Sequence, residues 1–310
     1  MNLVTIIITC FNSQDTIERA VNSALEQDWP NVEIIVIDDS STDESFNILT
    51  KISSRESRIT LLRNNSNLGY PSSLNKAISK SKGEFIAIFD DDDENEKNRI
   101  SMQIKRIIEF ENKTNKPHIL CYSNRNVFKT GESVHDHVAY AIGRKAPEPF
   151  GEEVAEYIFG LPVEEGKTWG MFGSCTLMAR KNLFEIVGKF DESFRRSAEL
   201  DYAIRAAFKG AYFIAVNKSL ISMHKTKSRD KAGRIPLTYS LKLRQKYLKY
   251  LKSRNFYNSS ILISYSNFYL NKKRKLIGIL FRILAFSCSP TLFLNFLRKK
   301  FRNFLKLNNY

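Results

Sequence analysis

Apolar positions change their period along the chain, and that change predicts the elements. Val4–Thr9 is a continuous apolar, β-branched run, the pattern of a strand covered on both faces. Ile17, Ala20, Val21, Ala24 and Leu25 recur at helical spacing, with Asn12 or Ser13 where a cap belongs. Trp29-Pro30-Asn31 breaks that helix, and Val32–Ile37 repeats the strand pattern up to Asp38-Asp39-Ser40. Phe46, Ile48, Leu49 and Ile52 predict a second helix, and Ile59–Leu62 a short strand. Leu74, Ala77 and Ile78 predict a helix ended by Gly83. Phe85–Phe89 is a fourth strand, followed at once by Asp90-Asp91-Asp92-Asp93. Ile100, Ile104, Ile107 and Ile108 predict another helix.

Strands alternating with helices imply βαβ units and a parallel sheet. The acids that end strands two and four then share the carboxyl edge of that sheet, where open α/β sheets bind ligands. Farther on the pattern weakens. Ile119–Tyr122, Cys175–Ala179 and Tyr212–Val216 read as strands and Leu200–Phe208 as a helix. The Gly-, Pro- and Glu-rich stretch 131–170 reads as loop with a short helix, and from about 237 basic and apolar residues alternate at helical spacing.

Charge changes the picture. Residues 1–240 have a net charge of −1, whereas 241–310 carry 16 Lys/Arg and no acid. A near-neutral body with a basic tail points to a polyanionic surface as partner. Within the tail, 276–297 approaches spanning length, but Arg282 and Pro290 interrupt it and basic clusters flank it. Amphipathic helices lying on an anionic membrane are therefore expected in preference to a span or a helical cap on the body. The Leu/Ile/Phe content suits lipid better than nucleic acid, so no nucleic-acid partner is expected. Homo-oligomerisation through the tail stays open. Four dispersed cysteines without C-x-x-C exclude a disulfide framework and a zinc motif, and suit a reducing compartment. The first ten residues lack a basic leader and cleavage site, so no signal peptide is expected.

Five segments in order carry a family resemblance: T-C-F-N at 9–12, V-E-I-I-V-I-D-D-S-S-T-D at 32–43, N-L-G at 67–69 with Asn75, K-G-E-F-I-A-I-F-D-D-D-D at 82–93, and G-K-F-D-E-S-F at 188–194. Over roughly residues 3–235 the chain resembles an inverting family 2 glycosyltransferase of the GT-A fold, of the bacterial surface-polysaccharide type. The resemblance implies an α/β fold with a Rossmann-like, mostly parallel central sheet flanked by helices, followed by a basic helical C-terminal extension. It implies a catalytic domain at 1–236, with a nucleotide-binding half at 1–116 and an acceptor half at 117–236. The extension is then 237–310. The reaction implied is metal-dependent sugar transfer from a nucleotide-diphosphate donor, UDP-linked in the first instance, to a glycan or lipid-linked acceptor. The place implied is the cytoplasmic face of the plasma membrane.

The chemistry explains the residue types. Charge builds on the leaving diphosphate, and a divalent ion stabilises it as a Lewis acid. Mn²⁺ or Mg²⁺ prefers carboxylate oxygen. Asp90-x-Asp92 resembles the family's D-x-D motif, with Asp92 as metal ligand and Asp90 on the ribose side. Asp91 adjoins the nucleotide, and Asp91 and Asp93 leave the register open by one. By resemblance Asp39 accepts from the base N3–H, with Asp38 beside it, and Thr9 and Phe11 flank the base. Both acids also suit a helix cap.

An inverting transferase needs one general base. The resemblance puts Glu199 there, with Asp201 as the other candidate or as a partner of Arg205. Ala198 stands where the family commonly has an acid. Trp169, Phe172 and Gly173 border the acceptor pocket, as sugar-stacking groups or as plain packing. His224 completes the metal shell, touches phosphate, or is a solvated loop residue. Lys227, Arg229 and Lys231 are phosphate candidates. Leu74 replaces the family's frequent Arg before Asn75. The alternative to an enzyme is a catalytically weak nucleotide-sugar-binding scaffold at the membrane surface.

Overall fold

A computed structural model describes residues 1–130, 132–225, 233–290, 292 and 294. The first part alternates as the pattern predicts: β1 (Val4–Cys10), α1 (Ile17–Leu25), β2 (Val32–Asp38), α2 (Ser45–Ser53), β3 (Ile59–Arg63), α3 (Tyr70–Lys80) and β4 (Phe85–Asp90). Then come β5 (Asp93–Asn95), α4 (Arg99–Thr114), β6 (Ile119–Phe128), β7 (His137–Ala139), α5 (Glu152–Phe159), β8 (Met178–Arg180), α6 (Lys181–Val187), α7 (Ala198–Phe208) and β9 (Tyr212–His224). The basic region holds α8 (Ile235–Lys246), α9 (Leu248–Ser253), α10 (Tyr257–Asn271) and α11 (Lys275–Ser287).

One mixed sheet runs β3-β2-β1-β4-β8-β6-β9-β5, with β7 beside β6. β3, β2, β1 and β4 are parallel. Val4, Ile6 and Ile8 of β1 join a core with Ile17 and Val21 of α1 and Ile100, Ile104 and Ile107 of α4. α3 covers the other side of β1 and β2. Burial on both faces is why these strands read as unbroken apolar runs.

Register then fixes the site. Cys10 pairs with Asp38, and Thr9 with Asp90. Two acids from different segments therefore reach one edge of the sheet, as expected.

Several local expectations are corrected. α1 begins at Ile17 after Thr16, with no side-chain cap. Asn12 and Ser13 instead join loops: Asn12 Oδ1 accepts from Thr42 N at 2.8 Å, and Ser13 N donates to Ser45 Oγ at 2.8 Å. Cys175–Ala179 is a 3₁₀ turn at Ser174–Thr176 followed by β8, not one strand. β6 and β9 run well past their apolar starts because their later halves pair with each other, Val127 with Met223 and Phe128 with His224. His224 is accordingly the last residue of a strand, not a loop residue.

α3 ends at Lys80, before Gly83. Gly83 has another reason to be there. A Cβ on it would stand 2.5 Å from Thr5 N and 2.8 Å from Phe85 O. Gly83 N also donates to Thr5 Oγ1 at 2.9 Å.

By internal contacts the described residues of Met1–Glu152 and Gly166–Lys227 form one compact unit, and those of Glu153–Glu165 and Ser228–Tyr310 a second. In the second unit the buried Arg244 donates to Ser260 O at 2.8 Å and Ser240 O at 3.0 Å. No helix among the described residues is long and apolar enough to cross a membrane.

Because backbone atoms surround Gly83, Gly83→Ala should destabilise the protein by about 1–3 kcal/mol. A lowered urea midpoint with an unchanged slope would show it.

Candidate active site

The sheet edge carries the first group of candidates. Asp38 ends β2, fully buried, and pairs with Arg63 Nε at 3.0 Å. It also accepts from Ser41 N at 3.2 Å. Asp39 accepts from Asn64 Nδ2 at 2.8 Å, Leu68 N at 2.9 Å and Gly69 N at 2.8 Å. Its carboxylate thus holds the 64–69 loop and the start of α3, where Gly69 has φ +87°. Thr9 lies at the end of β1. Phe11, just beyond it, is 45% exposed, so its ring face is open to a planar ligand.

The four consecutive aspartates fan apart. Asp91 turns to the 11–13 loop, accepting from Phe11 N at 3.1 Å and from Ser13 Oγ. Burial pushes its pKa up to about 6. The Asp92 carbonyl accepts from Arg19 Nη2 at 2.9 Å. Asp90 and Asp93 turn inward: their carboxylates and the Cys175 thiol have ligand atoms within 4.8 Å of one another. Asp93 is 1% exposed, and apart from the adjoining thiol both its oxygens lack hydrogen-bond partners. Burial, then repulsion from Asp92, pushes Asp93 up to about 7. Burial and Asp93 likewise raise Asp90.

Two arginines oppose this charge. Arg125 of β6 donates to Cys175 Sγ at 3.1 Å and feels both Asp90 and Asp93. Arg99, fully buried, donates to Asn95 Oδ1, Gln103 Oε1 and Ile88 O, and lies 4.2 Å above the Phe89 ring. Gly173 makes room for Arg125: a Cβ there would meet the guanidinium at 2.7 Å.

Asp93 pairs with Met223 across β5 and β9, so Asp92, one step on, comes level with His224. His224 stacks on Phe128 at 5.0 Å. Burial and Arg19 lower its pKa, against Glu94 and Asp92, which leaves the neutral ring that metal ligation requires. The donor set suits a hard divalent cation. Asp90 and Asp93 offer carboxylate oxygens beside the Cys175 thiol, and apart from that thiol the Asp93 oxygens have no hydrogen-bond partner, which leaves lone pairs that a cation could take.

Glu199 is the second residue of α7 and is half-buried. Burial raises its pKa, against Arg196 and Arg125. The buried Tyr70 hydroxyl lies within electrostatic reach of both Asp90 and Glu199. Asp201 has a different environment. It is fully buried and accepts from Arg205 Nε at 2.9 Å. Arg205 also donates to Val187 O at 2.7 Å and Lys189 O at 2.8 Å. This pair ties the 187–189 turn to α7.

α3 holds that same segment from the other side. Asn75 Nδ2 donates to Phe190 O at 2.9 Å, and Phe190 N donates to Asn75 Oδ1 at 2.8 Å. The Phe190 ring stacks on Tyr202 of α7 at 4.2 Å. Phe172 is 8% exposed and packs edge-on against Tyr122 and Phe213. Trp169 is half-buried. Lys227, Arg229 and Lys231 lie outside the described residues.

The sequence reading singled out neither Arg125, nor Tyr70, nor Asp93 as a ligand. Arg125 falls where β6 was expected to have ended. Tyr70 sits beside Pro71 in a helix start that resembles a plain turn. Asp93 was masked by its three acidic neighbours.

A carboxylate-lined edge of a Rossmann-like sheet, facing a helix that carries a further carboxylate, defines the GT-A class. Residues 5–185 match the family model described as Glycosyl transferase family 2. The chain belongs to that family. It is similar to the UDP-Glc:alpha-D-GlcNAc-diphosphoundecaprenol beta-1,3-glucosyltransferase WfaP of Escherichia coli, 45% identical over 104 residues, 34% of this chain and 41% of that protein. It is also similar to the amylovoran biosynthesis glycosyltransferase AmsB of Erwinia amylovora, 25% identical over 223 residues, 71% of this chain and 69% of that one. The match to WfaP thus spans less than half of its length. Among solved structures, S. aureus TarS 1-349 in complex with UDP-GlcNAc superposes with a TM-score of 0.63 at 18% identity, covering 94% of this chain and 82% of that one. That likeness is one of fold.

Arg205→Met should cost roughly 3–5 kcal/mol, because it strands the buried Asp201 charge. Adding Asp201→Asn should restore part of that loss, and urea unfolding of the single and double variants measures both.

Proposed function

We propose that this protein transfers a sugar, with inversion, from a UDP-sugar to a hydroxyl of a growing surface glycan or lipid-linked acceptor. The observation that carries this reading is the pairing of two carboxylate sets. Acids at the strand ends face the donor, while Glu199 stands apart on α7 with a pKa raised by burial. One set balances a leaving diphosphate, and the other accepts a proton. The names of WfaP, which acts from UDP-Glc on a diphosphoundecaprenol acceptor, and AmsB, a biosynthetic glycosyltransferase, support the substrate classes.

In this reading Phe11 stacks on the base. Thr9, Asp38 and Asp39 shape its pocket, directly or by holding the loop at 64–69, and Asp91 orients the 11–13 loop. Asp90 lies on the ribose side. Asp92 and His224 hold Mn²⁺ or Mg²⁺, with Asp93 behind them. The bound ion supplies Lewis-acid stabilisation of the diphosphate, and Lys227, Arg229 and Lys231 are the cationic candidates for it. Trp169 and Gly173 border the acceptor, with Phe172 supporting them.

Glu199 removes the acceptor hydroxyl proton as that oxygen attacks the anomeric carbon. The bond to the diphosphate oxygen breaks on the opposite face, and its electron pair leaves with the nucleotide. Arg125, close to both sets of acids, keeps the charge of one from overwhelming the other. Residues 1–116 then serve the donor and 117–236 the acceptor, with 237–310 as an extension at the cytoplasmic face of the plasma membrane.

Glu199→Gln should lower kcat by about 10²–10⁴-fold and leave the donor Kd unchanged. A Glu199→Gln variant that keeps turnover would rule Glu199 out as the base, whereas wild type that binds donor without turnover would favour the scaffold reading, whose support is Ala198 in place of an acid. Because burial raises Glu199 above 4.5, the base stays protonated farther up the pH scale. kcat/KM should therefore fall as pH drops through an apparent pKa above 4.5, and this limb should vanish in Glu199→Gln. Calorimetry with UDP, GDP, CDP and dTDP tests the donor site. We expect UDP binding with Mn²⁺, lost with chelator and in Asp92→Ala. Failure of every nucleotide to bind folded protein would falsify the transferase reading.

A further inference from the structure

α11 has two unlike faces. One packs on α10. A Cβ on Gly278 would stand 2.6 Å from Leu270 Cγ and 3.1 Å from Ser266 O, so the Leu270 side chain and the α10 backbone fill the space that a side chain at 278 would need. Ser266 Oγ donates to Gly278 O at 2.8 Å. Phe281 stacks on Tyr265 and Tyr269 at 5.1 and 5.5 Å. Arg282 donates to Ser266 Oγ and Asn267 Oδ1, and Ala285 is fully buried. The hairpin is thus a built element, closed by specific contacts.

The other face has no protein cover among the described residues. Leu276 is 85% exposed, and Ile279, Leu280, Ile283 and Leu284 are between 43% and 56% exposed. Their spacing is i, i+3, i+4, i+7 and i+8, one continuous stripe along the helix. Apolar patches left in water mark interaction surfaces. At 13 residues the helix is about 20 Å long, short of the roughly 30 Å hydrocarbon core. It can lie on a bilayer but cannot cross one.

The charge beside the stripe indicates which surface covers it. Lys272, Lys273, Arg274 and Lys275, all exposed, stand at the turn into α11. Next to them a groove of about 370 Å³ is lined by Gly233, Arg234, Phe268, Tyr269, Lys272 and Arg274. Among the described residues of this lining are three cations, two rings and no carboxylate, which suits a phosphate group attached to something apolar. Residues 241–310 contain no acid. A second copy on this face would therefore set cation against cation, whereas anionic lipid complements both the stripe and the groove.

We propose that the α10–α11 hairpin is a docking element for anionic phospholipid bilayers. The Leu276/Ile279/Leu280/Ile283 stripe enters the interface, and the groove at Arg234, Lys272 and Arg274 takes a headgroup phosphate. This rests on the reading of the extension as membrane-facing, but not on the sugar-transfer chemistry.

The full chain is sedimented with phosphatidylcholine vesicles, with and without phosphatidylglycerol. Binding is expected only with phosphatidylglycerol and weakens as salt rises. Leu280→Glu with Ile283→Glu should lower partitioning by roughly tenfold or more, leaving Tm and UDP binding unchanged because neither side chain is packed. Arg234→Ser with Lys272→Ser should weaken binding to the anionic vesicles. Ile283→Trp should be quenched by brominated lipid acyl chains on vesicle binding. Unchanged partitioning of the Leu280/Ile283 variant overturns the proposal. So does light scattering that shows this variant turning a dimer into a monomer with vesicle binding intact, since a second copy then covers the face. Failure of the wild-type chain to bind UDP while it still binds the phosphatidylglycerol vesicles would sink the transferase reading and leave this one standing.

Discussion

Four consecutive carboxylates at the end of a buried strand cannot all point the same way, and the catalytic unit is arranged around that repulsion. β4 delivers Asp90–Asp93 to an edge that already carries Asp38 from β2. The chain resolves the conflict by fanning. Asp91 spends its charge on the Phe11–Ser13 loop. Asp92 is anchored by its backbone to Arg19. Asp90 and Asp93 stay together, with their pKa values driven upward, and depend on Arg125 and Arg99 for compensation. Burying two arginines is costly unless charge is concentrated next to them. Here the acid cluster and the two arginines compensate each other.

The nucleotide-side fold was legible because its strands are buried on both faces and its acids follow them directly. No tertiary information was needed to place β1, β2 and β4 or to bring Asp38 and Asp90 to one edge. The acceptor side was less legible. β6 and β9 pass through Ser-Asn-Arg-Asn and Asn-Lys-Ser, which carry no strand pattern, yet beyond a register shift there the two strands go on pairing as far as Phe128 with His224. With β6 cut short, Arg125 was invisible. Asp39 suited either a base contact or a cap, and only the structure shows its oxygens holding Asn64, Leu68 and Gly69. Asp201 and Phe172 are candidates whose surroundings the sequence leaves open: Asp201 is buried against Arg205 one turn on, and Phe172 packs on Tyr122 and Phe213 from distant strands.

Glycines mark close approaches rather than loops in three places. Gly83 admits the backbone of β1, Gly173 admits the Arg125 guanidinium, and Gly278 admits α10. Each permits a contact on which a different part of the fold depends: the sheet edge, the charge balance of the acids and the α10–α11 hairpin. Read locally, all three look like breakers.

α3 is a beam between the two sides of the catalytic unit. Asp39 fixes its start at Gly69, and Asn75 grips Phe190, which stacks on Tyr202 one turn beyond Glu199. The Asn75–Phe190 pair joins residues 115 positions apart. Closing a loop of that length carries an entropic cost that shorter contacts repay first. The donor edge can be assembled from its first ninety or so residues through local βαβ steps. Glu199 gains its place only when this long loop closes, so the two groups of carboxylates are brought together by a contact of high sequence separation rather than by local steps.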